Sequence, residues 1–405
     1  MKVRKFFIFL LIIVLLFSLT GCYDAKSLET LAYVVALGLD IGENGNLKLS
    51  LQIAILSNAG DSGSTSQSSQ STVTSVECST VEAGINLVNS YISKKVNLSH
   101  CKTIVISEEL AVTGISNEIF SFVNNLEIRP DCNIIISRCN ASDFLDNSTP
   151  TLESVAARYY EFILTSSEYT GYSENLNLSD FYNNILNTTG EATAILGGIN
   201  NKKTHSINDS NNLNGAYKAN ETPIEYNTSV ETMGLAVFKG DKLVGELNNI
   251  ETMSHLIVTN KLQNATVTIP NPFQDSSSIS LNIYLSKSTK NSLKFINGTP
   301  YITCKVFVSA NSLSIEKGLD LGNNETLEIL NQYLSSYLRN NISAYLYKTS
   351  KDFNSDIAEF GKYALKNYPT WDDWVTSDWL NNYENAFFNV DVESNVQSGY
   401  LFTEL

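Results

Sequence analysis

A single charge-free run of twelve apolar residues, 6–17 (FFIFLLIIVLLF), decides where this chain can fold. As a helix it would be roughly 18 Å long at about 1.5 Å per residue. A hydrocarbon core of about 30 Å needs about 20 such residues, so the run is too short for a stable span. Lys2, Arg4 and Lys5 precede it, and Ser18, Thr20 and Gly21 follow it. That order of basic, apolar and small residues is that of a secretory signal peptide. No later stretch approaches 18 apolar residues, so the remainder is expected to fold in water.

The residue behind the run is Cys22, in the context Leu19-Thr20-Gly21-Cys22. L-x-G-C resembles the bacterial lipobox, which implies a diacylglyceryl group on the thiol and cleavage just before it. Two acyl chains anchor stably, since each buried CH₂ contributes about 0.8 kcal/mol. An ordinary secretory peptide with a chance cysteine and an uncleaved anchor helix are the other two readings. All three leave the body outside the cytoplasm.

Removing residues 1–21 takes the formal charge from −15 to −18. That balance disfavours nucleic acid, whose phosphates demand a basic face, and a polybasic contact with anionic headgroups. Residues 22–405 are many for one core, so two or three domains are expected. Five further cysteines (Cys78, Cys101, Cys132, Cys139, Cys304) form no C-x-x-C and no zinc-type spacing with histidine. They are expected to be small, mostly buried apolar residues. Cys132 and Cys139 stand seven apart across one strand, which puts them on opposite faces.

Residues 31–40 (LAYVVALGLD) read as a strand. Residues 47–55 alternate strictly, and Asn44-Gly45 between them supplies a turn. The Ser/Gln-rich residues 57–75 are expected to be a mobile loop. Helices follow over 80–93, with Val81, Ile85, Leu87, Val88 and Tyr91 as the apolar stripe, and over 115–125, 141–145, 154–164 and 178–186. Strands fall at 103–107, 133–137 and 191–197. Residues 200–228 are polar, Asn-rich and without periodicity, a linker or an exposed loop. A hairpin over 233–247 comes next, turned at Gly240-Asp241. Strands at 265–269, 279–286, 292–296 and 301–308 follow it. A long helix, about 324–348, starts at Asn324 as N-cap. A second helix is expected over 355–366 with Asp356 and Glu359 in its first turn, then a Trp-rich helix and a last strand at 386–392.

The division is therefore a signal peptide (1–21), an N-terminal α/β region (22–199), a polar connection (200–228) and a C-terminal α+β domain (229–405). The fold class is α+β, with mixed and antiparallel sheets packed against helices.

Catalytic signatures are missing: no G-x-S-x-G, Walker loop, G-x-G-x-x-G or H-E-x-x-H occurs. His100, His205 and His255 stand in unrelated contexts and are expected to be structural or exposed. Glu108-Glu109 reads as a solvated helix start. Trp371, Trp374 and Trp379 fit core packing at least as well as a stacking platform.

Several blocks resemble the Ger(x)C family, the lipoprotein C subunits of spore nutrient germinant receptors. They are Gly21-Cys22-Tyr23-Asp24 with residues 34–40 ending Gly38-Leu39-Asp40; His100-Cys101-Lys102 through Glu109-Leu110-Ala111; Glu127-Ile128-Arg129-Pro130; residues 234–245 (GLAVFKGDKLVG); and Ser355-Asp356 with Glu359-Phe360-Gly361, Tyr368-Pro369 and Trp371. Tyr23 stands where the family commonly has Trp. The resemblance implies a lipid anchor on Cys22 and a place on the outer face of the inner spore membrane. It further implies a complex with A and B receptor subunits, with no catalytic role and no cofactor beyond the acyl anchor. It assigns no ligand, metal or nucleic-acid site. A solute-binding lipoprotein of an importer is the alternative; the hairpin-rich C-terminal half disfavours it, since such proteins have regular βα lobes. A hydrolase with a site scattered in sequence is a third reading.

Overall fold

The computed structural model describes residues 4–9, 28–55, 71–148, 152–153, 156–200, 215–224, 230–274, 277–313 and 321–397. Cys22 and His205 lie outside them.

The first sheet grows from β1 (Leu31–Ile41). β2 (Leu47–Ala54) returns beside it through a turn in which Asn44 and Gly45 take φ of 57° and 80°. β3 (Ser71–Cys78) pairs with β2 along its whole length, so the expected mobile loop ends before Ser71. Val73 and Val76 pack against opposite cores and the rest of the strand up to Glu77 is polar, as suits an edge strand, and Ser75 Oγ meets Ser50 Oγ at 2.8 Å across the pair. Residues 56–70 of that expected loop lie outside the described residues.

On the other side of β1 stand β4 (Lys95–Asn97) and β5 (Thr103–Ser107), then β6 (Asn133–Ser137) and β7 (Thr193–Ile199), all parallel. β8 (Val230–Lys239) and β9 (Lys242–Leu247) add antiparallel. The hairpin over 233–247 thus extends the first sheet across the expected boundary at 229.

Parallel strands need crossovers, and these cover both faces. One face carries α1 (Val81–Tyr91), α2 (Glu108–Thr113), α3 (Ser116–Asn124) and α6 (Leu178–Ile185), packed through Val88, Ala111, Phe122 and Phe181. The other carries α4 (Ala141–Asn147), α5 (Ala156–Thr165) and α7 (Asn249–Val258). The buried line of α1 is Val81, Gly84 and Val88; Leu87 and Tyr91 of the expected stripe face outward. Asp40 of the Gly-x-Asp block is buried, and its carboxylate accepts from the Ala141 and Ser142 amides at 2.6 and 3.0 Å, seating the start of α4. Cys132 packs on one face and Cys139 against the other core, as their spacing demands.

The second sheet has the order β10 (Ala265–Pro270), β11 (Ser278–Ile296), β12 (Thr299–Ser312), β13 (Phe387–Gln397). β11 is one strand where two were expected; register shifts near Lys287 mark the polar interruption. This sheet wraps α8 (Asn324–Tyr347), which buries Leu330, Leu334, Leu338, Ile342 and Tyr345. The cap of α8 is Asn323, one residue earlier than expected, accepting from the Glu325 amide. Over 355–366 the expected helix is reduced to one turn, Gly361–Ala364, followed by a 3-10 turn, because the Asp356 side chain turns inward.

Of the polar connection, residues 215–224 are held in place. Arg138 donates to the Ala219 carbonyl and to Glu221, both at 2.8 Å, and Lys218 pairs with Glu246 at 2.9 Å. Glu108 is half-buried beside this network, and burial first, then the Glu246 charge, push its carboxyl up. Only Glu109 of that pair is solvated.

Candidate functional site: the junction between the two sheets

The segment 355–361 joins the halves of the molecule. Ser355 Oγ donates to the Phe238 carbonyl of β8 at 2.6 Å. The Asp356 carboxylate, fully buried, accepts from the Phe360 and Gly361 amides at 3.0 and 2.8 Å and from Trp379 Nε1 at 2.8 Å. Its carbonyl accepts from the Glu191 amide. Burial lifts the Asp356 carboxyl to about 7, against the pull of its three donors.

Opposite lies the stretch 188–191 that precedes β7. Glu191 Oε2 accepts from the Gly240 amide at 2.7 Å, in the β8–β9 turn, and burial raises its carboxyl to about 7. Thr188 Oγ1 accepts from Trp374 Nε1 at 3.1 Å. A Cβ on Gly361 would stand 2.4 Å from the Thr189 carbonyl oxygen, so only glycine permits this approach. Next along the turn, Asp241 accepts from the Ile115 amide through its carbonyl and from the Ser116 amide through Oδ2. Residues 234–245 and 355–361, far apart in sequence, therefore meet in space.

A second buried cluster lies beside the first. His255 Nδ1 is 2.8 Å from Tyr345 Oη, and Nε2 is 3.2 Å from Glu174 Oε2; Lys261 pairs with the other Glu174 oxygen. Burial would raise the Glu174 carboxyl, but the His255 hydrogen bond and the positive partners outweigh it and hold it low. A cavity of about 230 Å³, lined by Glu191, His255, Lys261, Asn291, Glu359 and Lys362 among others, links the two clusters.

Of the residues singled out from sequence, Asp356, Phe360, Gly361 and His255 come to this junction. His100 lies elsewhere, exposed beside Tyr33. Trp374 and Trp379 are core, whereas Trp371 is 59% exposed. Thr188–Glu191, Glu174, Lys261 and Tyr345 were not foreseen. A lone histidine within the apolar stretch of α7 was the one signal of a buried polar cluster. Both His255 nitrogens are engaged, and no serine or cysteine hydroxyl or thiol is among their partners. Among the described residues no three metal-ligating side chains converge. The arrangement locks two halves together and encloses a small polar cavity.

Comparison with known proteins gives a consistent picture. Residues 24–200 match the family described as spore germination protein N-terminal domain, and residues 233–399 match the one described as spore germination B3/GerAC like, C-terminal. The chain is 23% identical over 385 residues to spore germination protein KC of Bacillus subtilis (strain 168), covering 91% of each chain. The crystal structure of the GerBC protein shares the fold at a TM-score of 0.52 and 16% identity, over 92% of this chain and 99% of that one. This chain belongs to the Ger(x)C family, the C-subunit family of spore germinant receptors.

Proposed function

We propose that this chain is a lipid-anchored, non-enzymatic receptor subunit that works through protein contacts on the outer face of the inner spore membrane. The observation that carries the reading is Cys22 in Leu19-Thr20-Gly21-Cys22, two residues before the family match begins at residue 24. Acylation there confines the body to the bilayer and raises its effective concentration near the A and B subunits. The acidic body supports a partner that is protein rather than nucleic acid. The junction ties both halves together, through the Glu191 amide on the Asp356 carbonyl and Ser355 Oγ on the Phe238 carbonyl, so a partner meets them as one body.

The test is Cys22→Ala in sporulating cells. The variant is expected to leave the membrane fraction or to retain its leader, to lose co-purification with the other subunits and to lower the germination response. Unchanged retention and response, with an unmodified amino terminus by mass spectrometry, would refute the proposal.

A further inference from the structure

The end of the first sheet at which the chain enters β1 carries an unusual surface. Leu31 of β1 pairs with Lys95 of β4, so the start of β1 lies beside the 91–95 turn that follows α1. Tyr91, the last residue of α1, is 84% exposed, and Lys94 and Lys95 are exposed next to it. The Leu98 amide donates to Glu127 Oε2 at 2.9 Å, which brings the 125–128 turn to the same end. There Leu126 has its whole side chain in solvent. The core of α1 and α3 does not use either apolar side chain, and neither is needed for the turn it occupies.

Covalent geometry says what faces this end. Cys22 and Leu31, where β1 starts, are nine residues apart, and nine residues span at most about 32 Å. If Cys22 carries the acyl chains, the start of β1 cannot leave the bilayer surface by more than that. β1 continues for eleven residues, roughly 36 Å at about 3.3 Å per residue, so such a tether limits this end of the sheet more closely than the opposite end.

We propose that this end of the first sheet rests on the bilayer, with Tyr91 and Leu126 inserted at the headgroup level and Lys94 and Lys95 reaching up to phosphates. An amphipathic tyrosine suits that depth, and lysine stems pass along apolar surface while their ammonium groups stay wet. Glu29 and Glu127, both exposed nearby, offset the two lysines. The contact is therefore apolar insertion rather than attraction of a basic patch, which agrees with the acidic body. The docking rests on the anchor proposed above and adds an orientation to it: α1, α3 and the junction stand at defined heights over the membrane.

Lysine acylation by a water-soluble active ester tests this on the full, lipidated chain reconstituted on protein-free vesicles of phosphatidylethanolamine and phosphatidylglycerol. Mass spectrometry reads Lys94 and Lys95 against the exposed Lys366 of the other half. The two lysines are expected to react several-fold more slowly than Lys366, and the double variant Tyr91→Asp, Leu126→Asp, still lipidated, is expected to restore their reactivity. Both side chains are exposed, so the variant keeps the fold. Equal reactivity in the unaltered chain overturns the docking and leaves the anchor standing. Shielding that survives the double variant, or that needs membranes holding the other receptor subunits, also overturns it. A chain found without acyl groups in the same spectra overturns anchor and docking together.

Discussion

β6 of the first sheet is buried along almost its whole length: Ile134 and Ile136 face one helical layer and Ile135 the other. β12 of the second sheet alternates instead. Ile302, Cys304, Val306 and Val308 turn to α8, while Tyr301 and Lys305 point into solvent. The contrast follows from connectivity. In the first sheet several crossovers join the parallel strands and cover both faces; in the second, β10, β11 and β12 are antiparallel neighbours, and the one crossover, from β12 to the parallel β13, lays α8 on a single face and leaves the other bare. A doubly covered strand can be short and continuous in apolar residues. A singly covered one must be longer and patterned in twos.

The largest expected effect is at the doubly covered strand. Ile135→Ala removes a fully buried side chain that packs against Gly197 and is hemmed in on both sides. The loss is expected to be roughly 3–4 kcal/mol by urea denaturation, since the surroundings collapse only partly into the void. A loss below about 1 kcal/mol would mean that this face is loosely packed, and the contrast between the sheets would fail.

The same contrast explains what the sequence disclosed. β1, β5, β6 and β7 are visible as apolar runs, β2 by its alternation and α8 by its repeat of three and four, whereas the three-residue β4 leaves no signal. The Asn44-Gly45 turn was visible from residue type alone. β3 was hidden because an edge strand needs little apolar character, and Ser71 and Ser75 disguised it as loop. The 355–361 segment was read as a helix because Asp356 and Glu359 look like first-turn acids. Only the tertiary structure supplies Trp379 Nε1 and the Glu191 amide that hold Asp356 inside. The halves of the junction are more than a hundred residues apart, and no local period records that they meet. The resemblance blocks marked where glycine and aspartate matter, without saying why.

The junction, which couples the two sheets, gives the middle effect. Glu191 has a folded pKa of about 7, above its unfolded value, so the folded state holds its proton more tightly. Stability is therefore highest below the unfolded pKa and falls as pH climbs through about 7. Asp356 acts in the same direction, and Glu174, held low, acts oppositely, losing its contribution as the solution is acidified. Glu191→Gln keeps an oxygen for the Gly240 amide and removes the ionisation. Its unfolding curve is expected to coincide with that of the unaltered protein near pH 4 and to lie roughly 2–3 kcal/mol higher at pH 8. Parallel curves across that range would show that the carboxyl is not desolvated, and that the two halves are less tightly closed.

The smallest effect belongs to the bare face. Tyr301 stacks on Phe387 of the neighbouring parallel strand, ring centroids 5.3 Å apart and planes 15° from parallel, with both rings about half in solvent. Such a cross-strand pair contributes about 0.5–1 kcal/mol. Tyr301→Ser is expected to cost no more than that, and Phe387→Ser about as much. The double variant should cost less than the two added together, because the rings act on each other. If instead Tyr301→Ser cost as much as Ile135→Ala, the outer face of the second sheet would have to be covered by something in solution. A concentration-dependent midpoint would then identify that cover as a second copy of the chain, because unfolding of a self-associated protein depends on protomer concentration.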